Sequence, residues 1–420
     1  MKKNVLIIGA GGVGHVASHK CAQNNDILGN IHIASRTLNK CARIVQDIHA
    51  KGSMKVASAL EIHELNALDI NSLIKLIRKT DSHIVINVGS AFLNMSVLRA
   101  CIDADVAYID TAIHEEPHKI CETPPWYNNY EWKMLDECRE KSITAILGCG
   151  FDPGVVNAFA RFAKDEYFDK ITDIDIIDVN AGKHDRYFAT NFDPEINFRE
   201  FTGVVYSWQQ GQWRVNKMFE VSKEHDLPIV GKQKVYLSGH DEIHSLFKNM
   251  NGADVRFWMG FSDHYINVFR VLKNIGLLSE QPVKTAEGKE VIPLKVVKSV
   301  LPDPSSLAPT YQGKTFIGCL VRGIYNKKEQ EVFLYNISDH ESAYQEVTSQ
   351  AISYTAGVPP VTAAILIAEG VWDIGRMVNV EELPPEPFLK VLHRCGLPTS
   401  IYNKDRKHTL LFDENSAKKR

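Results

Sequence analysis

The residues with the clearest chemistry stand at the start of the chain. Gly9-Ala10-Gly11-Gly12-Val13-Gly14 fits G-x-G-x-x-G, directly after the apolar run Val5–Ile8 and at the opening of a helical stretch. In that setting Gly9 permits a tight turn, Gly11 lets the backbone approach a pyrophosphate, and Gly14 lets helix and strand pack closely. The helix start at Gly12 and Val13 supplies amide donors and the positive dipole end to the phosphates. The end of the next strand then selects the ligand. A site for NAD carries Asp or Glu there, against the ribose 2′-hydroxyl. Here Ser35-Arg36-Thr37 stands about 20 residues beyond the glycine turn, with no acid to repel a 2′-phosphate. Arg36 can clamp that phosphate and Ser35 and Thr37 can add donors, so NADP(H) is the expected cofactor. The alternatives are an unliganded glycine turn and an arginine that is merely solvated or stacks on adenine.

Three later segments fall at predicted strand ends, where ligands collect in open α/β sheets. They are Gly89-Ser90-Ala91, Asp110-Thr111-Ala112 and the glycine-rich stretch Cys149-Gly150-Phe151-Asp152-Pro153-Gly154. Asp152 either faces a substrate or caps the following helix. Two strings resemble metal sites. His114-Glu115-Glu116-Pro117-His118 matches H-E-x-x-H, but Pro117 would break the helix that must put both histidines on one face. His240-Asp241-Glu242-Ile243-His244 lacks Glu in the second position and a third ligand, so a polar site wall or a capped helix start is expected. No metal is expected at either.

The elements that must position these residues alternate. Strands are predicted at Val5–Ile8, Ile31–Ser35, Ile84–Val88, Val106–Ile109 and Thr144–Leu147. Helices are predicted to about Asn24 and over Thr37–Ala50, Ser72–Lys79, Leu93–Ala104 and Tyr127–Lys141. Alternation of this kind argues for a parallel sheet covered on both faces, an α/β doubly wound fold. After Gly154 the pattern changes. Ile171, Ile174, Ile176 and Val179 sit among Asp173, Asp175 and Asp178, as in a strand with one wet face. Thr315–Tyr325 and Glu331–Ser338 read as a hairpin turning at Asn326-Lys327-Lys328, with helices near Asp241–Lys248 and His264–Leu278. Residues 150–345 therefore form an expected α+β domain after a first domain of residues 1–149. Pro384-Pro385-Glu386-Pro387 is expected to break any helix, and the polar tail after Asp413 to fray.

With 420 residues the chain is long enough for two or three domains and needs no covalent staples. Its 48 basic and 51 acidic residues give no footprint for general nucleic-acid binding. No run of about 18 apolar residues is evident, so no membrane span is expected. The start, Met1-Lys2-Lys3, has a basic n-region, but the apolar stretch after it is too short for a signal peptide. Eight cysteines without a C-x-x-C pair suggest reduced thiols in a cytoplasm.

Read together, these residues resemble the saccharopine dehydrogenase-like reductases over nearly the whole chain. The marks are VLIIGAGGVG, GCGFDPGVVN at 148–157, TNFDPEINFREF at 190–201, GHDEIHSLFKN at 239–249, MGFSDHYINVFRVLKNIGLL at 259–278 and SQAISYTAGVPPVTAAILIAEGVWDIG at 349–375. The resemblance implies a Rossmann domain and a mixed-sheet domain for substrate binding and homodimer formation. It also implies a C-terminal segment, residues 346–420, that returns to the first domain through the helix Val361–Ile367. The implied reaction is NADPH-dependent reduction of the imine formed from aspartate β-semialdehyde and 1,3-diaminopropane or putrescine, in polyamine biosynthesis. A protonated imine accepts hydride better, so Asp152, His240 and Glu242 are the candidate catalytic groups. Asn191, Glu195, Asn197 and Arg199 are candidates to hold the ammonium and carboxylate ends of the substrate. Two alternatives stay open: a saccharopine reductase, for which Arg186, Arg199 and Arg256 could clamp extra carboxylates, and a non-catalytic NADP-sensing protein.

Overall fold

The computed structural model describes residues 2–117, 119, 122–403 and 408–412; the expected frayed tail and His118 lie outside them. The first domain is built as the alternation requires. Strands β1 (Lys3–Ile8), β2 (Leu28–Ser35), β3 (Leu60–Glu64), β4 (Ile84–Asn87), β5 (Ala107–Ile109) and β6 (Ala145–Leu147) alternate with helices α1 (Gly12–Gln23), α2 (Leu38–Lys51), α3 (Ile70–Lys79), α4 (Asn94–Ala104) and α5 (Leu135–Glu140). Pairing is parallel, in the order β6-β5-β4-β1-β2-β3. The chain reverses direction across the sheet between β1 and β4, where a crevice opens at the strand ends. Val5 and Ile7 bury against α1 and α2, and Leu6 and Ile8 against α3 and α4, so β1 is apolar on both faces.

Some elements differ from the sequence expectation. β3 was not foreseen, because Leu60-Glu61-Ile62-His63-Glu64 is half polar; its alternation suits an edge strand. The helix expected at Tyr127–Lys141 is broken into two 3₁₀ turns, Trp126–Asn129 and Glu131–Met134, before α5. The wholly buried Glu131 carboxylate accepts from the amide of His114 at 2.7 Å, which an exposed helix face would not allow.

The second domain opens with α6 (Val155–Tyr167) and the long strand β7 (Lys170–Asn180), then α7 (Pro194–Thr202). Next come β8 (Val205–Gln209), β9 (Gln212–Asn216), β10 (Ser222–Leu227), β11 (Gly231–Ser238), α8 (Ile243–Asn249), β12 (Asp254–Gly260) and α9 (Asp263–Asn274). A small hairpin, β13 (Val283–Lys284) with β14 (Glu290–Val291), leads to α10 (Pro293–Val300), β15 (Lys314–Tyr325), β16 (Lys328–Asp339) and α11 (His340–Val347). In the mixed sheet β7 pairs parallel with β12 and antiparallel with β15. The β15–β16 turn is two residues, Asn326 and Lys327, both at positive φ, and Lys328 already belongs to β16.

The C-terminal segment joins both sheets. Helix α12 (Ala351–Ala368) packs on α1, and β17 (Met377–Asn379) extends the parallel sheet beside β6. After α13 (Pro385–Arg394), β18 (Ser400–Asn403) and β19 (His408–Leu410) continue the mixed sheet beside β16. Pro385 sits in the first turn of α13, where its missing N–H costs nothing, so the proline run starts a helix. α12 is longer than expected and runs through Pro359 and Pro360. By length and composition it could cross a membrane, which corrects the reading that no such segment exists; 89% of it is buried inside the protein.

Candidate active site

The glycine turn has the shape that its spacing predicts. Gly9 holds φ +116°, and a Cβ on it would come 2.7 Å from the Gly89 amide; a Cβ on Gly14 would come 2.1 Å from the Gly9 carbonyl oxygen. Gly11 is the opposite case, since a Cβ there would meet nothing within 4 Å. Two glycines thus serve close packing and the third borders open space, which fits a pyrophosphate laid on the start of α1. Beyond β2, Arg36 is exposed, with no ion pair among the described residues, while the Ser35 hydroxyl accepts from the Thr37 amide at 3.3 Å. This donor set fits a 2′-phosphate.

The other strand-end loops are tied to one another. Asn94 donates to the Ala112 carbonyl at 2.7 Å and accepts from Asn87 at 2.9 Å. Nδ1 of His114 lies 3.0 Å from the Ala91 carbonyl. This keeps Gly89-Ser90-Ala91 and Thr111-Ala112 at the crevice. Asp110 and Cys149 were expected to meet the cofactor, and the structure corrects both side chains. Asp110 is buried and accepts from the Gly148 amide at 2.6 Å, with burial and then Glu131 pushing its carboxyl well above the usual range. The Cys149 thiol is buried, pointing to the Pro359 carbonyl at 3.7 Å. Both groups fix the loops from beneath. The H-E-x-x-H string runs through an irregular loop over His114–Pro117, so its first histidine is on no helix face.

The catalytic candidates do come together. α6 is capped at Gly154, whose amide donates to Asn157 at 2.8 Å, so Asp152 is not the cap. It stands at the loop before α6, partly open to solvent, among Asp178, His240, Glu242 and Glu200. The imidazole of His240 stacks on Phe257 at 4.0 Å and bridges two glutamates, with Nδ1 2.6 Å from Glu242 and Nε2 3.3 Å from Glu200. Burial works against its charge, but Glu242 and Glu200 outweigh burial and hold its pKa well above the ordinary value. Burial, with Asp178 next, pushes Asp152 well up. Burial also pushes Asp178 to about 7, opposed by His240. The adjoining Asp241 accepts from the Ile113 amide at 2.7 Å, and burial takes it to about 7 as well. The cluster therefore sits against the β5 and β6 strand ends and holds five carboxylates around one imidazolium. So many like charges cannot all ionise without a further cation.

Sequence reasoning missed Asp178, Glu200 and Asp241. Glu200 belongs to the stretch TNFDPEINFREF, but nothing in that string separates it from its neighbours. Asp178 looked like a wet-face residue of β7. Its partners come from α7 and the 239–242 loop, which no local pattern connects.

The substrate-holding candidates fare differently. Arg199 is corrected outright: its guanidinium is buried and donates to Glu115 at 2.8 Å, to Glu280, and to the carbonyls of Glu116 and Lys119 at 2.9 and 2.7 Å. It fastens Glu115, Glu116 and Lys119 to the second domain and has little left for a substrate carboxylate. Arg256 is likewise committed, to Asp175 and Asp173 at 2.7 and 2.6 Å. Asn197 accepts from the Tyr265 hydroxyl at 2.7 Å, and Asn191 accepts from the Tyr311 hydroxyl at 2.6 Å. Glu195 pairs with Lys298 at 3.0 Å and borders a cleft of about 230 Å³ lined also by Phe92, Pro117, Glu280 and Leu294.

Known proteins resemble the chain along most of its length. Residues 5–146 match the family model described as the saccharopine dehydrogenase NADP binding domain, and residues 150–397 match the saccharopine dehydrogenase C-terminal domain. The carboxynorspermidine synthase of Vibrio alginolyticus is 45% identical over 94% of this chain and 95% of its own. The protein of that name from Vibrio cholerae is also 45% identical, over the same shares. A carboxyaminopropylagmatine dehydrogenase of Synechocystis is 40% identical over 94% of this chain and 96% of its own. Among solved structures, the apo saccharopine dehydrogenase (L-Glu forming) of Saccharomyces cerevisiae has a TM-score of 0.66 at 13% identity, covering 96% of this chain and 99% of that one, which speaks to the fold. The cofactor is NADP(H), and the chain belongs to the saccharopine dehydrogenase family.

Proposed function

We propose that the protein reduces, with NADPH, the imine formed from aspartate β-semialdehyde and a diamine, 1,3-diaminopropane or putrescine, giving carboxynorspermidine or carboxyspermidine. The observation that carries this reading is the surplus of carboxylates around His240 beside the β5 and β6 strand ends. A cationic substrate supplies the missing positive charge, whereas a substrate rich in carboxylates would meet repulsion there. The names of the Vibrio relatives support the same reaction. Bound NADPH supplies the hydride. In this reading Asp152, kept protonated by burial and by Asp178, gives a proton to the imine nitrogen. Asp178 and Glu200 seat the distal ammonium, and His240 holds Glu200 and Glu242 in position. The name of the Synechocystis relative favours one variant, a guanidinium tail from agmatine in the same acidic seat.

The reading includes a homodimer formed through the second domain and a cytoplasmic setting, which light scattering and cell fractionation test. For the reaction itself, NADPH oxidation is followed with aspartate semialdehyde and a panel of 1,3-diaminopropane, putrescine and agmatine. Turnover with at least one diamine is expected. Turnover only with aminoadipate semialdehyde and glutamate makes the protein a saccharopine reductase, and tight NADPH binding without turnover on any pair makes it a sensor.

A further inference from the structure

The glycine turn has a neighbour that the first domain does not provide. Helix α12 crosses α1 so closely that a Cβ on Gly357 would lie 2.9 Å from the Val13 carbonyl oxygen and 2.7 Å from Val16. One turn earlier, a Cβ on Gly12 would lie 2.5 Å from the Ser353 hydroxyl oxygen. Ser353 therefore rests against the first residue of α1, where the pyrophosphate-binding amides begin. The residue is 4% exposed; its hydroxyl has no hydrogen-bond partner among the described residues, and its oxygen is not among their fully buried unpartnered atoms. A hydroxyl without a protein partner at this place, beside a helix start, is free to donate to an acceptor that arrives with a ligand.

The same end of α12 holds a second unfinished group. Gln350, its N-cap, is wholly buried; its amide donates to the Asn191 carbonyl at 3.0 Å, while its Oε1 has no partner. Ser353 occupies the first turn of an 18-residue helix, whose leading amides lack intrahelical acceptors and favour an anion. Two helix starts, α1 and α12, thus meet beside the open space at Gly11.

We propose that the Ser353 hydroxyl donates to the pyrophosphate of the dinucleotide, so that the C-terminal segment completes the cofactor site that the first domain begins. The inference rests on the cofactor and not on the identity of the imine. NADPH and NADH share the pyrophosphate and differ at the 2′-phosphate, so Ser353 and Arg36 must separate in their effects. Binding of both cofactors is measured by fluorescence titration on the full chain, with apoprotein unfolding midpoints beside it. Ser353→Ala should weaken NADPH and NADH alike, by about tenfold. The apoprotein should be as stable as before, because an unpaired hydroxyl has been removed. The pair Ser353→Thr and Ser353→Val, equal in shape, should differ in the same way, with only the hydroxyl-bearing variant near wild-type affinity. Affinities within twofold of wild type for Ser353→Ala, a loss confined to NADPH, or Thr and Val variants that bind equally would overturn the proposal.

Discussion

Asp175 and Asp178 lie three residues apart on β7, on opposite faces of one strand, and they differ in what surrounds them. Asp175 is buried against three cations, Arg256 at 2.7 Å, Arg322 at 2.8 Å and Lys223 at 3.3 Å, and accepts from the Trp258 indole at 2.8 Å. Burial alone would raise its pKa, but Lys223 and the arginines hold it well below the carboxylate range. Asp178 stays partly open to solvent and faces Asp152, Glu200 and Glu242, with only the His240 imidazolium to offset them among the described residues. The first acid is satisfied by the fold. The second is short of positive charge, and that deficit is what distinguishes a binding site from a structural ion pair. Arg36 gives the same lesson with opposite sign: an exposed cation without an ion pair among the described residues, at the place where a phosphate is expected.

The comparison is broken or sharpened by substitution. The largest effect should come from Asp175→Ala, which strands three cations and should cost about 3 kcal/mol or more in denaturant unfolding. An unchanged midpoint would show that the network is solvated enough to be neutral. Next, Arg36→Ala should weaken NADPH by about 1.5–3 kcal/mol and leave NADH nearly untouched, read by titration of both. Asp178→Asn should do the reverse of Asp175→Ala, keeping or raising stability while the diamine KM rises about tenfold. A fall in stability with KM unchanged would put the two acids in one class.

The pH dependence is smaller and has a definite sign. Asp178 and Asp241 are raised to about 7, so they are protonated below that value and ionised above it. 1,3-Diaminopropane stays mostly doubly charged up to about pH 8, although its second ammonium lowers the first amine pKa below the value of about 10 for an isolated amine. Binding of 1,3-diaminopropane to the NADP⁺ complex should therefore tighten several-fold between pH 6 and 8 by calorimetry, with His240 charged throughout and Asp152, Glu200 and Glu242 facing the same space. A flat profile in wild type would show that ionisation of Asp178 and Asp241 is not linked to diamine binding and would sink the seat. The smallest effect should come from Glu195→Gln, because its partly exposed pair with Lys298 carries less than about 1 kcal/mol. Diamine KM should stay within about twofold of wild type.

What the sequence determined by itself was local. The glycine turn, Arg36 after β2 and most of the first domain's alternation follow from contiguous residues, and the structure keeps these near the expected bounds, β3 and the Tyr127–Lys141 stretch excepted. The quoted stretches also carried the family, because whole strings of unlike residues were available at once. What only the tertiary structure decided was partnership. Arg199 looked like a carboxylate clamp until α7 brought it against Glu115 and Glu280, and Asp178 looked like a surface acid until the 239–242 loop and α7 closed around it. The irregular path from Trp126 to Met134 followed from burying Glu131, and the meeting of Ser353 with Gly12 joins residues more than three hundred positions apart. A charged side chain takes its role from the net charge and solvent left around it, and those are set by segments distant in sequence, so no window of residues contains them.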